Sequence, residues 1–214
     1  MKHQEKQVTY TTTNSYATLN QLSKKTKYVW LVCHGIGYLS KYFLKYFEGL
    51  PPGENYIIAP QAPSKYYLNG EYRHVGASWL TRENTATEIT NVVTYISAVL
   101  TAERLPLHCK LIVFGYSQGA AIAARWVART QQKCHQLVLH SGSIPNELVP
   151  ADFDFLKENN TQVTILVGNK DEYLNPERME LESKKIDTLF QGRAKQVIFE
   201  GKHEVNKKLI NSLI

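Results

Sequence analysis

A serine between two glycines is the residue of this sequence best suited to nucleophilic chemistry. Ser117 lies in Gly115-Tyr-Ser-Gln-Gly119, a Gly-x-Ser-x-Gly motif. The apolar residues 111–114 before the motif predict a buried strand, and the alanine-rich residues 120–124 after it predict a helix. A serine on so tight a turn is held in a strained conformation beside the free N–H groups of the helix start. We therefore interpret Ser117 as a nucleophile rather than as an incidental turn residue.

A histidine is the natural base for this nucleophile. A serine hydroxyl attacks a carbonyl carbon only when a base takes its proton, and ligands of a parallel sheet bind beyond the carboxyl ends of the strands. Of the seven histidines, His34, His74, His140 and His203 lie at or beyond predicted strand ends. His203 follows the last predicted strand by four residues, in a loop that contains a glycine. We predict that His203 is the base; a surface-loop histidine is the alternative.

Asp171 is the predicted acid that orients this base. The order serine, acid, histidine along the chain requires a carboxylate after an intervening strand. Asp171 comes four residues after the predicted strand 162–167, and Glu172 is a weaker substitute for it. Asp152 and Asp154 are disfavoured because no strand immediately precedes their loop. A turn residue without a chemical role is the alternative interpretation of Asp171.

Two backbone amides are predicted to stabilise the oxyanion that forms when the serine attacks a carbonyl. One is the amide of Gln118, the residue after the nucleophile. The other should come from the loop after an earlier strand, and His34-Gly35-Ile36-Gly37 follows the apolar strand 28–33 in this way. Ile36 is the predicted donor, because the neighbouring glycines let its amide be aimed. His34 is then interpreted as a brace for this loop rather than as a base.

The elements that must position these residues alternate between strand and helix. The predicted strands are residues 28–33, 55–59, 111–114, 136–140, 162–167 and 195–199. The predicted helices are residues 40–50, 84–103, a segment after Ser117, 175–191 and 204–214, with a loop or short helix at 149–160. This alternation predicts one α/β domain over residues 1–214, with a mostly parallel central sheet and helices on both faces. Residues 1–27 are predicted to add N-terminal edge strands or a hairpin.

Residues 60–80 form the longest stretch without a clear hydrophobic period. A loop of this length within a compact domain is usually functional. It carries four aromatic residues, which are candidates for lining a substrate pocket: Tyr66, Tyr67, Tyr72 and Trp79. Packing of these rings on the core is an equally good interpretation.

Charge and composition disfavour several classes of function. The chain has 214 residues, a formal net charge of +6 and basic residues scattered along its length. No basic run is interleaved with aromatic residues, so nucleic-acid binding is not expected. No stretch approaches membrane-spanning length and residues 1–6 lack the apolar segment of a secretion signal, so no integral membrane association is expected. Three cysteines without metal-type spacing predict reduced thiols, no metal site and a cytoplasmic location.

On these residues the chain resembles the phospholipase/carboxylesterase group of α/β-hydrolases, whose best-known members are the acyl-protein thioesterases. The resemblance covers roughly residues 28–214 and rests on residues 34–37, Ala59-Pro-Gln-Ala-Pro63, Ser78-Trp79, Gly115-Tyr-Ser-Gln-Gly119, residues 168–171 and His203. It implies the α/β-hydrolase fold, a triad of Ser117, Asp171 and His203, oxyanion donors at Ile36 and Gln118, and no cofactor. The chain departs from the family pattern at Tyr38, Asn169 and Glu172, where members usually carry aspartate, aspartate and proline.

Together these observations predict a serine hydrolase that cleaves carboxylic esters or thioesters through an acyl-enzyme intermediate. The expected substrate is a small-molecule or lipid-like acyl ester or thioester, and the sequence specifies neither the acyl-chain length nor the oligomeric state. The same machinery also suits another electrophile, such as a peptide or lactone, or acyl transfer to an acceptor other than water. A non-catalytic binding protein on the same fold is the alternative of a different class. It is disfavoured because such proteins commonly lose one of the three catalytic residues.

Overall fold

Strands and helices alternate through residues 3–214, the part of the chain that the computed structural model describes. The strands are β1 (Tyr16–Leu19), β2 (Tyr28–Cys33), β3 (Asn55–Pro60), β4 (Ser64–Tyr67), β5 (Val75–Ser78), β6 (Lys110–Tyr116), β7 (Gln136–His140), β8 (Gln162–Gly168) and β9 (Ala194–Phe199). The helices are α1 (Ser40–Phe43), α2 (Thr85–Glu103), α3 (Gln118–Thr130), α4 (Asp154–Glu158), α5 (Pro176–Phe190) and α6 (Lys207–Asn211). Short 3-10 turns occupy Leu44–Tyr46, Leu68–Gly70 and Pro150–Phe153.

Seven strands form one sheet in the order β1-β3-β2-β6-β7-β8-β9. The edge strand β1 is antiparallel to β3, and the other neighbouring pairs are parallel. The predicted α/β class with a mostly parallel sheet is therefore confirmed. Because parallel strands end at the same edge, the loops after β2, β6, β8 and β9 meet there. These loops carry the predicted site residues.

Apolar residues on the two faces of the sheet form two separate cores. Alternate residues of β2 supply both, since Val29 and Leu31 face one core and Trp30 and Val32 face the other. The first core is covered by α2, α3 and α5, and the second by α1 and α6. Strands buried on both faces account for the continuous apolar runs that predicted them. Helices on both faces are thus confirmed.

The helical spacing of apolar residues at 40–50 overestimates the helix there. The structure has α1 and a 3-10 turn, which together end at Tyr46. Phe43, Phe47 and Leu50 are nevertheless buried in the second core, so burial rather than a continuous helix accounts for the pattern. Proline at position 51 also disfavours a helical conformation at Leu50.

Both ends of the described chain are less regular than predicted. Residues 3–27 contribute the single edge strand β1 rather than a hairpin. The predicted helix at 204–214 is reduced to α6, which begins after Asn206. The Asn206 Oδ1 accepts a hydrogen bond from the Leu209 N–H at 3.0 Å and caps the helix. The residues before this cap belong to the loop that carries His203.

Residues 60–80, predicted as an irregular loop, contain an antiparallel hairpin formed by β4 and β5. All four residues of β4 are exposed, so no alternation of apolar and polar residues marks the strand. The hairpin lies against the loop after β2, where the Gly37 N–H donates to the Ala77 carbonyl at 2.9 Å. A Cβ at Gly76 would lie 2.7 Å from the Gly37 carbonyl oxygen, so this close approach requires glycine.

Within residues 3–214 no helix is both long enough and apolar enough to cross a bilayer. The three cysteines are unpaired, and Cys33 and Cys134 are buried. Burial raises the pKa of both thiols to about 12. They are therefore protonated core residues at neutral pH.

Candidate active site

Ser117 lies at the sharp turn between β6 and α3. Its φ of 53° and ψ of −119° fall outside the regions that residues other than glycine usually adopt. The Ser117 N–H donates to the His140 carbonyl at the end of β7, 2.8 Å away, and this bond holds the strained residue against the neighbouring strand. Strain of this kind is typical of functional sites, where the surrounding structure enforces it.

Close packing of backbone around this turn depends on glycines. A Cβ at Gly119 would collide with the backbone at the end of β2, so α3 can begin this near to β2 only with glycine there. A Cβ at Gly35 would lie 3.2 Å from the Ser117 Cβ and 3.0 Å from the Tyr116 ring. The loop at residues 34–37 therefore lies directly beside the serine.

His203 links the serine to a carboxylate. Its Nε2 is 2.9 Å from the Ser117 Oγ, and its Nδ1 is 2.8 Å from Asp171 Oδ2. A carboxylate accepts, so the ring proton lies on Nδ1, and Nε2 is left to accept the serine O–H. The arrangement can therefore remove a proton from Ser117 and keep the resulting imidazolium beside a negative charge.

Asp171 is the carboxylate that the structure brings to the imidazole. Its side chain is 1% exposed, and Oδ1 accepts the Tyr173 N–H at 3.0 Å. Glu172 is exposed and accepts the backbone N–H of His203 at 3.3 Å, so it does not contact the ring nitrogens. Asp152 and Asp154 bond to Val149 N–H and to the Gln191 side chain, away from this site.

The backbone N–H groups of Ile36 and Gln118 are free, since neither donates to an acceptor within residues 3–214. The turn at 35–38, closed by a Tyr38 N–H bond to the Gly35 carbonyl at 3.3 Å, leaves the Ile36 amide free. The Gln118 side chain accepts from the Trp79 N–H at 2.8 Å and so ties the start of α3 to the end of the hairpin. Both amides are thus available to an anion beside Ser117.

His34 is bonded to backbone through both ring nitrogens. Nδ1 donates to the Gly35 carbonyl at 2.8 Å, and Nε2 accepts from the Ala62 N–H at 3.2 Å. Burial lowers the pKa of His34 to about 4, so the ring is neutral at ordinary pH. These contacts hold the loop at 34–37 in place, which is the bracing role expected of His34.

The four aromatic pocket candidates fall into two groups. Tyr66, Tyr67 and Tyr72 are exposed on the hairpin. Trp79 has no exposed surface, and its Nε1 donates to the His34 carbonyl at 2.7 Å. Trp79 therefore packs on the core, which is the second of the two interpretations that the sequence left open, and it supports the loop at 34–37 from there.

A cavity of about 540 Å³ lies at the opposite edge of the sheet from these residues. Its lining includes Lys24, Lys25, Lys27 and Lys110, beside the amino ends of β2 and β6. None of the predicted site residues contributes to it. The hydrogen-bonded groups, rather than the cavity, identify the candidate site.

Two residues that contact the His203 loop were not predicted to do so. The Tyr116 hydroxyl donates to the His203 carbonyl at 2.9 Å, and the His140 Nε2 accepts from the Asn206 N–H at 3.1 Å. Their positions at the carboxyl ends of β6 and β7 are the signal in the sequence that could have identified them.

Comparison with known proteins places the site in a wider context. The sequence model of the Phospholipase/Carboxylesterase family matches residues 14–214, a range that includes every residue of the candidate site. No match was found among curated proteins.

Three solved structures illustrate the similarity in fold. Acyl-protein thioesterase 2 of Zea mays aligns with a TM-score of 0.70 and 16% identity, over 94% of this chain and 96% of that one. The phospholipase/carboxylesterase of Dyadobacter fermentans gives 0.67 and 20%, over 96% and 98% of the two chains. The carboxylesterase of Bacillus cereus gives 0.63 and 16%, over 93% and 91%. The chain thus has the α/β-hydrolase fold.

Proposed function

Because the chain belongs to the phospholipase/carboxylesterase family, we propose that it hydrolyses carboxylic esters or thioesters with Ser117 as the nucleophile. The observation that carries the proposal is the unbroken series of contacts from Asp171 through His203 to Ser117, with distances of 2.8 Å and 2.9 Å. Contact of one histidine with both a strained serine and a buried carboxylate is typical of a functional site and not of an isolated surface histidine. The esterases and thioesterase among the similar structures support the same class of reaction.

The first half of the proposed reaction acylates the serine. His203 Nε2 takes the hydroxyl proton while Ser117 Oγ bonds to the carbonyl carbon of the substrate. The oxyanion of the tetrahedral intermediate accepts from the amides of Ile36 and Gln118. His203 then returns the proton to the leaving alcohol or thiol, and the acyl group remains on Ser117.

The second half releases the acid. His203 removes a proton from water, and the resulting hydroxide attacks the acyl carbon to form a second tetrahedral intermediate at the same two amides. Collapse of this intermediate transfers the proton from His203 to Ser117 and frees the carboxylic acid. Asp171 keeps the imidazole in one orientation through both halves, and no cofactor is required.

An acyl ester or thioester of a small molecule or lipid is the proposed substrate. Ile36 is exposed beside the hairpin, and Tyr66 on the hairpin lies next to Gly37. These apolar groups offer a surface on which an acyl chain can lie close to Ser117. The proposal includes no nucleic-acid or metal partner.

A fluorophosphonate probe tests the nucleophile directly. Wild-type protein should be labelled at Ser117, and Ser117→Ala should not be labelled and should lose turnover of p-nitrophenyl esters. Ser143→Ala, a nearby serine outside the proposed machinery, serves as the matched control and should be labelled like wild type. Equal labelling of wild type and Ser117→Ala would overturn the assignment.

A panel of p-nitrophenyl esters and matched thioesters of graded chain length tests the substrate class. A higher kcat/KM for long acyl chains would indicate a lipid-like substrate, and a higher value for short chains would indicate a small-molecule esterase. A folded protein that hydrolyses none of these activated substrates would instead support a binding protein on this fold.

A further inference from the structure

The base of the proposed reaction lies on a loop that needs support from outside its own strand. His203 follows β9, an edge strand, and its two ring nitrogens must contact Asp171 and Ser117 at the same time. A misplacement of about 1 Å at such a site can reduce the rate about 100-fold. The first part of the loop is bonded to the segment after β8, because the Lys170 N–H donates to the Gly201 carbonyl at 2.8 Å. His203 itself is held by the exposed Glu172, which accepts its N–H at 3.3 Å, and by contacts of its loop with β6 and β7.

Tyr116 bonds directly to the backbone of the base. Its hydroxyl donates to the His203 carbonyl at 2.9 Å, and its ring centroid is 5.4 Å from that of the imidazole. Tyr116 is also the residue that precedes Ser117, so one hydrogen bond joins the strand of the nucleophile to the base. Burial, above all, raises the pKa of the Tyr116 phenol, which keeps the hydroxyl a donor across the working pH range.

His140 holds both sides of the same junction. Its carbonyl accepts the Ser117 N–H at 2.8 Å, and its Nε2 accepts the Asn206 N–H at 3.1 Å. Because Nε2 accepts, the ring proton lies on Nδ1, which donates to Ser141 Oγ at 3.0 Å. Burial lowers the pKa of His140 to about 3, so the ring remains neutral and Nε2 remains an acceptor. A single buried residue therefore bonds to the nucleophile and to the end of the loop at 203–206, which we call the base loop.

We propose that Tyr116 and His140 are positioning residues that set the distance between the His203 imidazole and Ser117. Neither side chain touches the two atoms between which the proton moves, so both act through the backbone of the loop at 203–206. That the placement of the His203 imidazole matters for catalysis rests on the proposed function. The position itself is a property of the fold that can be measured separately.

Tyr116→Phe is the variant that tests the proposal, because it removes one hydroxyl and keeps the ring. We expect kcat for a p-nitrophenyl ester to fall about tenfold. KM should stay within about twofold of wild type, because the buried Tyr116 hydroxyl is already bonded to the His203 carbonyl. The rate of fluorophosphonate labelling should fall in proportion to kcat.

Tyr95→Phe is the matched control. The Tyr95 hydroxyl also donates to a backbone carbonyl, that of Ser15, at 2.6 Å, and it accepts the Gln61 N–H at 3.1 Å. Tyr95 lies on α2, away from the base loop. Both variants lose a hydroxyl bond to a backbone carbonyl, and Tyr95→Phe loses one bond more. A purely structural contribution should therefore lower the thermal midpoint at least as much in Tyr95→Phe and leave kcat unchanged in each variant. A kcat of Tyr116→Phe within about twofold of that of Tyr95→Phe would contradict the positioning role.

Two substitutions of His140, by glutamine and by leucine, give a second test. Gln at 140 can place an acceptor near the position of Nε2, whereas Leu cannot. His140→Gln should therefore retain more of kcat than His140→Leu, with both variants compared only if their circular dichroism spectra match wild type. Equal kcat values in two folded variants would remove His140 from the proposal.

An activity-independent measurement separates this proposal from the proposed function. The Nδ1 proton between His203 and Asp171 should give a low-field NMR signal, assigned by its loss in Asp171→Ala. We expect it to broaden or disappear in Tyr116→Phe and to persist in Tyr95→Phe. If wild type neither hydrolyses esters nor reacts with the probe, the proposed function fails, and this signal still decides the positioning. An unchanged signal in Tyr116→Phe would overturn it.

Discussion

Two adjacent carboxylates make the acid of the candidate site easy to test. Asp171 Oδ2 contacts the His203 ring, whereas Glu172 contacts the backbone N–H of the same residue. Asp171→Asn should lower kcat about 10⁴-fold, because an amide cannot hold the imidazole in the tautomer that leaves Nε2 free. Glu172→Gln removes an exposed charge and should change kcat by less than about threefold. The measurement is kcat on a p-nitrophenyl ester, with spectra to confirm folding.

Equal losses of kcat in these two variants would show that the short distance at Asp171 has no special role. A large loss in Glu172→Gln alone would make position 172 the functional acid, which is the substitute that the sequence left open. The comparison is clean because both substitutions replace a carboxylate by its own amide.

The sequence predicts a residue's role where its own side chain is suited to the chemistry. It does not predict the role of a side chain that only bonds to the backbone of another loop. Residue type, chain order and position after strands predict Ser117, Asp171 and His203 as one set, and the structure brings their side chains together across 86 and 32 residues of sequence. Tyr116 and His140 bond to backbone groups of a loop far along the chain, so nothing in their residue types indicates a partner. For Trp79 the sequence leaves pocket lining and core packing equally open, because an aromatic residue in a loop gives the same pattern whether its ring is buried or exposed.

The contact of the hairpin with the loop at residues 34–37, the proposed oxyanion loop, gives a prediction at the scale of an element. Gly76→Ala places a methyl group against the backbone of Gly37 and should push β5 away from the turn that carries Ile36. We expect kcat to fall about tenfold, because losing one oxyanion donor completely costs about 10² to 10³. Activity on a p-nitrophenyl ester and the thermal midpoint are the measurements.

Gly53→Ala is the control for this substitution. An added Cβ at Gly53 meets nothing within 4 Å, in the turn before β3. It should leave kcat near the wild-type value, since the position is remote from the hairpin. If Gly76→Ala behaves like Gly53→Ala, the hairpin does not support the oxyanion loop.

Among the elements, those buried on both faces were predicted best. β2 and β7 match their predicted bounds because each is a short, mostly apolar run, as expected of a strand that is buried on both faces. β4 and β5 do not show in the sequence because β4 is exposed at every residue, and the buried residues of β5 are the small residues Gly76, Ala77 and Ser78, which form no apolar alternation. α1 and α6 were predicted too long because apolar residues at 43, 47, 50 and 210 are buried without a continuous helix around them.

The free energy of unfolding of the whole molecule should decrease as the pH falls below about 6.5, because two histidines are buried in the folded state. His34 and His140 have native pKa values of about 4 and about 3, both lowered mainly by burial. In the unfolded chain their pKa returns to about 6.5, so between pH 6.5 and the native values the unfolded state binds more protons. Their contribution is complete above pH 6.5 and is lost as the pH falls. At pH 5 each should cost about 2 kcal/mol of unfolding free energy.

Urea denaturation at pH 8, 6.5, 5.5 and 5 measures this effect, in a range where most carboxylates are still ionised. His140→Gln should show about half the wild-type change in unfolding free energy between pH 6.5 and pH 5. Equal free energies of unfolding at pH 8 and pH 5 in wild type would refute the prediction.

At the scale of the whole molecule, alternation of elements was enough to predict the class of sheet and its functional edge. A parallel arrangement of the strands and the rule that ligands bind beyond their carboxyl ends predict Ser117, Asp171 and His203 at one edge of the sheet. The order of strands was beyond such reasoning, because apolar runs that are buried on both faces do not specify their neighbours. The distance between His203 and Ser117 depends on that order.

The outward order of β6, β7, β8 and β9 in the sheet matches the order in which a ribosome delivers them. A nascent chain can therefore extend the sheet one strand at a time, in keeping with vectorial folding. Ser117 is presented after the first of these strands and His203 only after the fourth. A stalled chain that ends between them carries the proposed nucleophile without the proposed base, so on the proposed function we expect it not to hydrolyse esters until β9 and its loop have left the exit tunnel.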